Sequence, residues 1–202
     1  MKSIKNILPL GVALHCLLVL TALPSLGQAQ GPVYTITLDQ STIKFSIKAS
    51  VHVAGAFDQW DATLTFPSTD PTTGVLTIKV QAASVNTGSR IKNDKLKSSE
   101  FFNVEQDPLI TFLSKKIVQT GPDTFDIQGD FTIRGVTKTE TLRLSVSGKG
   151  TGSGTISGTM VFNRKDFGMN KGIPFVRIGD QVEVTVNLKV RKASGPPLVF
   201  KQ

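Results

Sequence analysis

The chain has 202 residues, a hydrophobic content of 39%, 23 Lys and Arg against 15 Asp and Glu, one cysteine and two histidines. This is enough apolar mass for one well-buried domain. Cys16 and His15 both fall in the first 29 residues, which leaves His52 alone to build a catalytic triad, a zinc site or a His-based acid/base pair, and the common forms of each need more partners.

Met1–Asn6 is a short start carrying Lys2 and Lys5, residues 7–26 are mostly apolar, and Gly27-Gln28-Ala29 is a small-x-small exit. That layout is a secretory signal peptide over residues 1–29, cleaved after Ala29, and it predicts a periplasmic or secreted protein. A retained anchor fits less well, because Pro9 and Pro24 interrupt the apolar run and no basic residue follows it closely. The 173 residues beyond Ala29 carry 21 cations and 15 anions, a net charge of about +6. They contain no cysteine, so neither a disulfide nor a thiolate ligand is expected.

From Tyr34 onward, apolar and polar residues alternate at period two, which gives a strand one apolar and one polar face. In chain order the runs are 35–38, 43–48, 53–66 with a break near Asp58, 75–82, 110–116, 125–128, 130–134, 142–146, 156–162 and 182–190. Their polar faces are rich in Thr and Ser, which suit strands. Residues 68–74, Gly121-Pro122-Asp123, Arg134-Gly135 and the alternating glycines 148–154 supply hairpin turns. Ser89–Ser99 breaks the alternation without Gly or Pro and predicts one short helix, anchored by Phe101-Phe102. Eight or nine antiparallel strands imply a sandwich or a barrel over 33–192, with an unstructured tail over 193–202 opening at Gly195-Pro196-Pro197.

Four features compete for a functional role. Arg90, Lys92, Lys95 and Lys97 put four cations on the predicted helix, which suits a phosphate head group or an anionic membrane; with Asp94 among them, a solvated face is the commoner reading. Residues 168–179 include Met169, Ile173, Phe175, Val176 and Ile178 between two glycines, and read equally as a lid, a homodimer contact or a bulged strand. Arg164 and Asp166 suit an ion pair or a polar head group. Asp58 and Asp61 sit too close on one bulged run to serve as a glycosidase pair across a cleft. The aromatics lie in strand interiors rather than among the cations, so a nucleic-acid partner is not expected.

Several short words then appear in a telling order: His52-Val53-Ala54-Gly55-Ala56-Phe57, Ala83-Ser84-Val85-Asn86-Thr87-Gly88, Asn93-Asp94 leading to Phe101-Phe102-Asn103-Val104, Asp107-Pro108-Leu109-Ile110-Thr111-Phe112, residues 129–138, Asn163-Arg164-Lys165-Asp166-Phe167-Gly168 and Gly179-Asp180-Gln181-Val182. Over about 34–190 the chain resembles the YceI-like exported proteins, lipocalin-like β-barrels that bind polyisoprenoid lipids. It departs from them at Asn93-Asp94, where Arg-Asp is common, and in a stretch one residue shorter before the Phe pair. The resemblance implies an all-β, antiparallel, lipocalin-like barrel of about eight strands with one short helix. It also implies a long-chain lipid in the interior, no catalysis, and neither metal nor cofactor. Phe45, Phe57, Phe66, Phe101, Phe102, Phe112, Phe131, Phe162, Phe167 and Phe175 would then meet the lipid, and Arg90, Lys92, Lys95 and Arg164 its head group. The residues alone leave the alternative of a filled core acting through its surface.

Overall fold

The computed structural model describes residues 31–50, 53–172 and 177–202. The leader, His52, and Ile173 to Val176 with Phe175 among them lie outside the described residues. The strands are β1 (Val33–Ala49), β2 (Val53–Phe57), β3 (Trp60–Thr65), β4 (Val75–Gln81), β5 (Val85–Asn86), β6 (Leu109–Gln119), β7 (Thr124–Ile133), β8 (Val136–Ser147), β9 (Ser153–Asn163) and β10 (Ile178–Ser194). One α-helix, α1 (Arg90–Lys97), sits between β5 and β6. All the pairings are antiparallel, and β10 pairs with β1 as well as β9. This closes β1, β3, β4, β6, β7, β8, β9 and β10 into an eight-stranded barrel, with β2 and β5 continuing one wall.

Period-two patterning accounts for the core. On β7, Phe125, Ile127, Phe131 and Ile133 are buried while their neighbours face outward, and the same alternation recurs on β4, β9 and β10. Two runs expected as separate strands, 35–38 and 43–48, are one strand with a register slip between Thr37 and Thr42. Ser41 Oγ bridges the slip by donating to Thr37 O (2.7 Å) and accepting from Lys189 N (2.9 Å). The break near Asp58 is present: the chain turns at Asp58-Gln59 between β2 and β3. Arg134 and Gly135, both at positive φ (54° and 68°), form the tight β7–β8 turn whose twist matches the flanking strands.

Two sequence expectations are corrected. β10 begins at Ile178, inside the stretch read as a loop up to Gly179, because Ala49 of β1 continues to pair there. The tail expected over 193–202 starts later, because β10 runs on to Ser194, paired with Val33; from Gly195 it has no regular secondary structure, but it is not loose. Val199 N donates to Thr69 O (2.8 Å), Gln119 and Lys201 exchange two hydrogen bonds (2.8 and 3.0 Å), and the Phe200 ring lies 6.0 Å from that of Phe125.

Candidate functional site

The inward side chains divide the barrel lumen into two compartments. β10 carries the division most plainly: Val182, Val184 and Val186 face one compartment, and Val190 and Lys192 the other. Leu188 lies between them at 0% exposure. Leu76 (1% exposed) on β4, Ala62 on β3 and Ser114 on β6 are likewise buried and line neither compartment. Ser114 follows the strand pattern inward although it is polar, and its Oγ accepts from Leu76 N (2.9 Å). On β7 and β9 the level is occupied by Gly129 and Gly158, where a Cβ would run into Phe112 and Leu144. The interior therefore has a packed waist with free space on either side.

The proximal compartment, under α1, has a free volume of about 110 Å³, roughly ten times what a single water needs by the same measure. Among the described residues of its wall only Thr111 and Arg164 are polar. Two phenylalanine groups define it. Phe45, Phe57 and Phe102 meet with ring centroids 5.5 to 6.3 Å apart. Phe131 and Phe162 pack at 5.0 Å and rest on Phe167 at 5.3 and 5.2 Å. Such a wall offers water too few partners to hold it and offers an apolar chain close contact on every side.

Among the expected lipid contacts, Phe45, Phe57, Phe101, Phe102, Phe112, Phe131 and Phe162 all line this compartment. Phe167 does not; it is fully buried behind Phe131 and Phe162 and props them. Phe66 is at the other end of the barrel, 5.8 Å from the Tyr34 ring. Aliphatic residues supply the rest of the lining, including Ile43, Ile78, Val80, Leu142, Met160 and Val186. The alternation on each strand marked their faces, but counting phenylalanines alone passed over them. Met169 and Ile178, from the two ends of the greasy 168–179 stretch, also reach the wall.

Among the described residues Arg164 is the one charged group in this wall, and its side chain is 6% exposed. Nε donates to Gly179 O (3.0 Å), Nη1 to Lys171 O (3.0 Å) and to Met169 O, and Nη2 to Asp180 Oδ1 (3.2 Å). Four of its five donors thus tie together both ends of the 168–179 stretch. The anionic partner is Asp180, not Asp166. Residues 164–167 form a 3₁₀ turn, whereas β9–β10 pairing sets Gln181 opposite Asn163 and so brings Asp180 alongside. Lys165, at 2.8 Å, is the main cause that holds the Asp180 carboxyl below its usual range.

Sequence reading missed a second brace. Arg134 donates from Nη1 to Gly168 O (2.7 Å) and from Nη2 to Ser99 O (3.0 Å), tying the segment after α1 to the 168–179 stretch. It had been read only as a turn residue, since its partners lie more than thirty residues away on either side. Together the two arginines hold the elements over the proximal end.

The other head-group candidates are on α1. Arg90 is 94% exposed and lies 3.7 Å from Asp94. Lys92 is exposed on the same helix. Lys95 pairs with Glu100, whose carboxyl it holds below the usual glutamate range, and its Nζ stands 5.8 Å from the center of the Phe101 ring. None of the three lines the compartment, although Leu96 of the same helix does. Asn93, in the position of the departure from the common Arg-Asp pair, accepts from Thr87 N (2.9 Å) and Thr87 Oγ1 (2.7 Å) and so fixes the entry to α1. Asp58 accepts from Asn86 Nδ2 (2.9 Å) at the β2–β3 corner.

The distal compartment, about 190 Å³, lies under the Gly148–Gly154 hairpin tip and the C-terminal tail. Tyr34, Phe66, Phe125, Leu144, Ile156 and Val190 line it, and Phe200 enters from the tail.

Comparison with known proteins agrees with this architecture. The YceI-like domain profile matches residues 34–190. A UPF0312 protein of Pseudomonas aeruginosa is 30% identical over 158 residues, covering 74% of this chain and 82% of its own. The crystal structure of Burkholderia cenocepacia BcnA superposes with a TM-score of 0.70 at 24% identity, covering 77% of this chain and 99% of that one. A structure described as a polyisoprenoid binding domain from Saccharophagus degradans superposes with a TM-score of 0.63 at 15% identity, covering 80% and 99%.

Proposed function

We propose, from the premise that this chain belongs to the YceI-like domain family, that it is an exported binding protein which holds the apolar chain of a polyisoprenoid or similar long-chain lipid in the proximal compartment. One observation carries the reading: a cavity of about 110 Å³ walled by apolar side chains, whose one charged wall residue among the described residues is already committed to the protein's own carbonyls and Asp180. An apolar ligand entering it leaves no polar group unpaired, and each Å² of apolar surface removed from water contributes roughly 25 cal/mol. The polyisoprenoid named for the Saccharophagus degradans domain supports the ligand class. Free space on this scale favors a ligand over the filled-core alternative.

No bond is made or broken in this reading; the protein transports, stores or protects its lipid. The phenylalanine walls grip the chain, the waist at Leu76 and Leu188 limits how far it runs, and the head group stays near α1. There Arg90, Lys92 and Lys95 draw a phosphate or an anionic membrane surface. Arg164 works differently: it positions Met169, Lys171 and Gly179 and does not meet the head group. Export by the residue 1–29 leader puts the protein where lipid moves between membranes.

The test is organic extraction of protein purified from its exported form, followed by mass spectrometry and by titration with an isoprenoid alcohol and its phosphate. A polyisoprenoid in the extract, and uptake by lipid-free protein, is the expected result. Absence of both would overturn the reading. Replacing Arg90, Lys92, Lys95 and Lys97 together by Gln should weaken the phosphate more than the alcohol, and sequencing of the exported protein should begin at Gln30.

A further inference from the structure

The distal compartment has a mainly apolar wall with Ser147, Lys149, Ser153 and Lys192 among its lining, and what covers it is different in kind from the proximal cover. No strand or helix closes it. The cover is the Gly148–Gly154 hairpin tip together with the eight residues after β10, which leave the strand at Gly195 (φ 82°) and turn back across the open end. Leu198 and Phe200 are the large side chains they place in its wall, Phe200 packed on Phe125 and standing 4.7 Å beneath Lys149 Nζ. Val199 beside it is 65% exposed. The backbone is pinned at Val199 and Lys201, and Lys192 Nζ donates to Gly195 O (3.0 Å). A segment without its own ladder, with two part-buried apolar side chains and a few exposed hydrogen bonds, is at the low-stability end of a fold. The space it covers is still not full: about 190 Å³ remains beside the Phe200 ring.

We infer that the C-terminal segment is an intramolecular stopper, and that the compartment beneath it is a second apolar binding site, for a single-chain anionic amphiphile such as a fatty acid, which displaces Phe200. The chemistry of the rim selects that class. The chain end of the ligand replaces the Phe200 ring among Phe66, Phe125 and Leu144, while its carboxylate remains at the surface. There the Lys192 ammonium, released from Gly195 O, meets it, while Lys149, held by Asp123 and Pro122 O, stays over the ring position at the same rim. The waist keeps the two sites separate, so occupancy of one does not require the other. This inference extends the reading of the barrel lumen as a home for apolar chains but is tested apart from it.

The experiment is fluorescence titration of the full chain, Phe200→Ala and Phe200→Trp with cis-parinaric acid, a fluorescent polyene fatty acid, reading the number of equivalents bound. Phe200→Ala removes the anchor and should bind one equivalent more than the unaltered chain at the same concentration. Phe200→Trp keeps the anchor and should bind no more than it. Val199→Pro, which removes the hydrogen bond to Thr69 but leaves Phe200 intact, should also gain the extra equivalent, and it serves if Phe200→Ala does not fold. Lys192→Gln added to Phe200→Ala should weaken the fatty acid more than the corresponding alcohol. Equal stoichiometry and affinity in the unaltered chain, Phe200→Ala and Val199→Pro would overturn the inference and leave the proximal site standing. An extra equivalent in the variants with none in the unaltered chain would support it and count against the proximal reading.

Discussion

The two ends of this barrel are built from the same strands and sealed by opposite means. Over the proximal end, two buried or half-buried arginines, Arg164 and Arg134, gather carbonyls from the segment after α1 and from both ends of the 168–179 stretch. Over the distal end, Phe200 and Leu198 on an irregular tail occupy the opening. A guanidinium that satisfies several buried carbonyls cannot leave without orphaning all of them, whereas a half-buried ring gives up only contact area. The difference teaches that firmness at a barrel mouth follows from how many polar groups depend on one residue, not from how apolar the lumen is.

The contrast can be broken most severely at Phe167. Phe167→Ala removes a ring that is fully buried behind Phe131 and Phe162, and should cost about 3–5 kcal/mol in urea unfolding, the range for emptying a buried aromatic site. Arg164→Gln comes next. It strands the carbonyls of Lys171 and Gly179 and leaves Asp180 without one of its partners, with an expected loss of about 2–4 kcal/mol. Phe200→Ala, the corresponding change at the distal end, should cost only about 1 kcal/mol, since the ring is half-buried. A distal loss as large as the proximal ones would erase the comparison.

Two carboxyls sharpen it further with smaller effects of opposite sign. Asp180 is held below its usual value of 3.8 chiefly by Lys165. Its contribution is therefore present at neutral pH and is lost as pH falls through the lowered value. Asp180→Asn should lower the melting temperature at pH 7 and converge on the unaltered protein in strong acid. Glu140 is pushed above its usual 4.5, first by burial and then by Asp166. It favors the fold when protonated, below that usual value, and the contribution disappears as pH rises through the raised value. Glu140→Gln should raise the melting temperature slightly at pH 7 and give no gain at pH 4. Calorimetry across that range reads both.

The fold was open to sequence reading wherever inside and outside alternate along a strand. Runs such as 125–133 and 182–190 identify their inward residues without help, and the interruption of the pattern at 89–99 locates the helix. What escaped depends on partners distant in the chain. The role of Arg164 needs Asp180, Gly179 and Lys171 brought alongside by β9–β10 pairing, and Arg134 needs Ser99 and Gly168. The tail carries Gly-Pro-Pro, which signals irregular backbone correctly; only the position of Phe125 tells that Phe200 has somewhere to go. Phe66 and Phe45 look alike in sequence, and it is the level at which each stands along the barrel that assigns them to different compartments.

The seam between β1 and β10 joins Tyr34 to Lys192 and Phe45 to Val184, the longest sequence separations of any strand pair in the molecule. Every other neighbor in the barrel wall from β3 to β10 is reached through a hairpin or a modest connection, whereas this pairing must wait until almost the whole chain has been made. Loop-closure entropy sets its cost, and proteins dominated by such distant pairings fold slowly. A sheet running from β3 to β10 with its two outer strands still apart would expose both apolar compartments and two unpaired edges at once. For this chain, then, the step that creates the lumen is also the step that removes its chief aggregation hazard, and substitutions along the seam, such as at Phe45 or Val184, should slow refolding more than equal losses elsewhere in the wall.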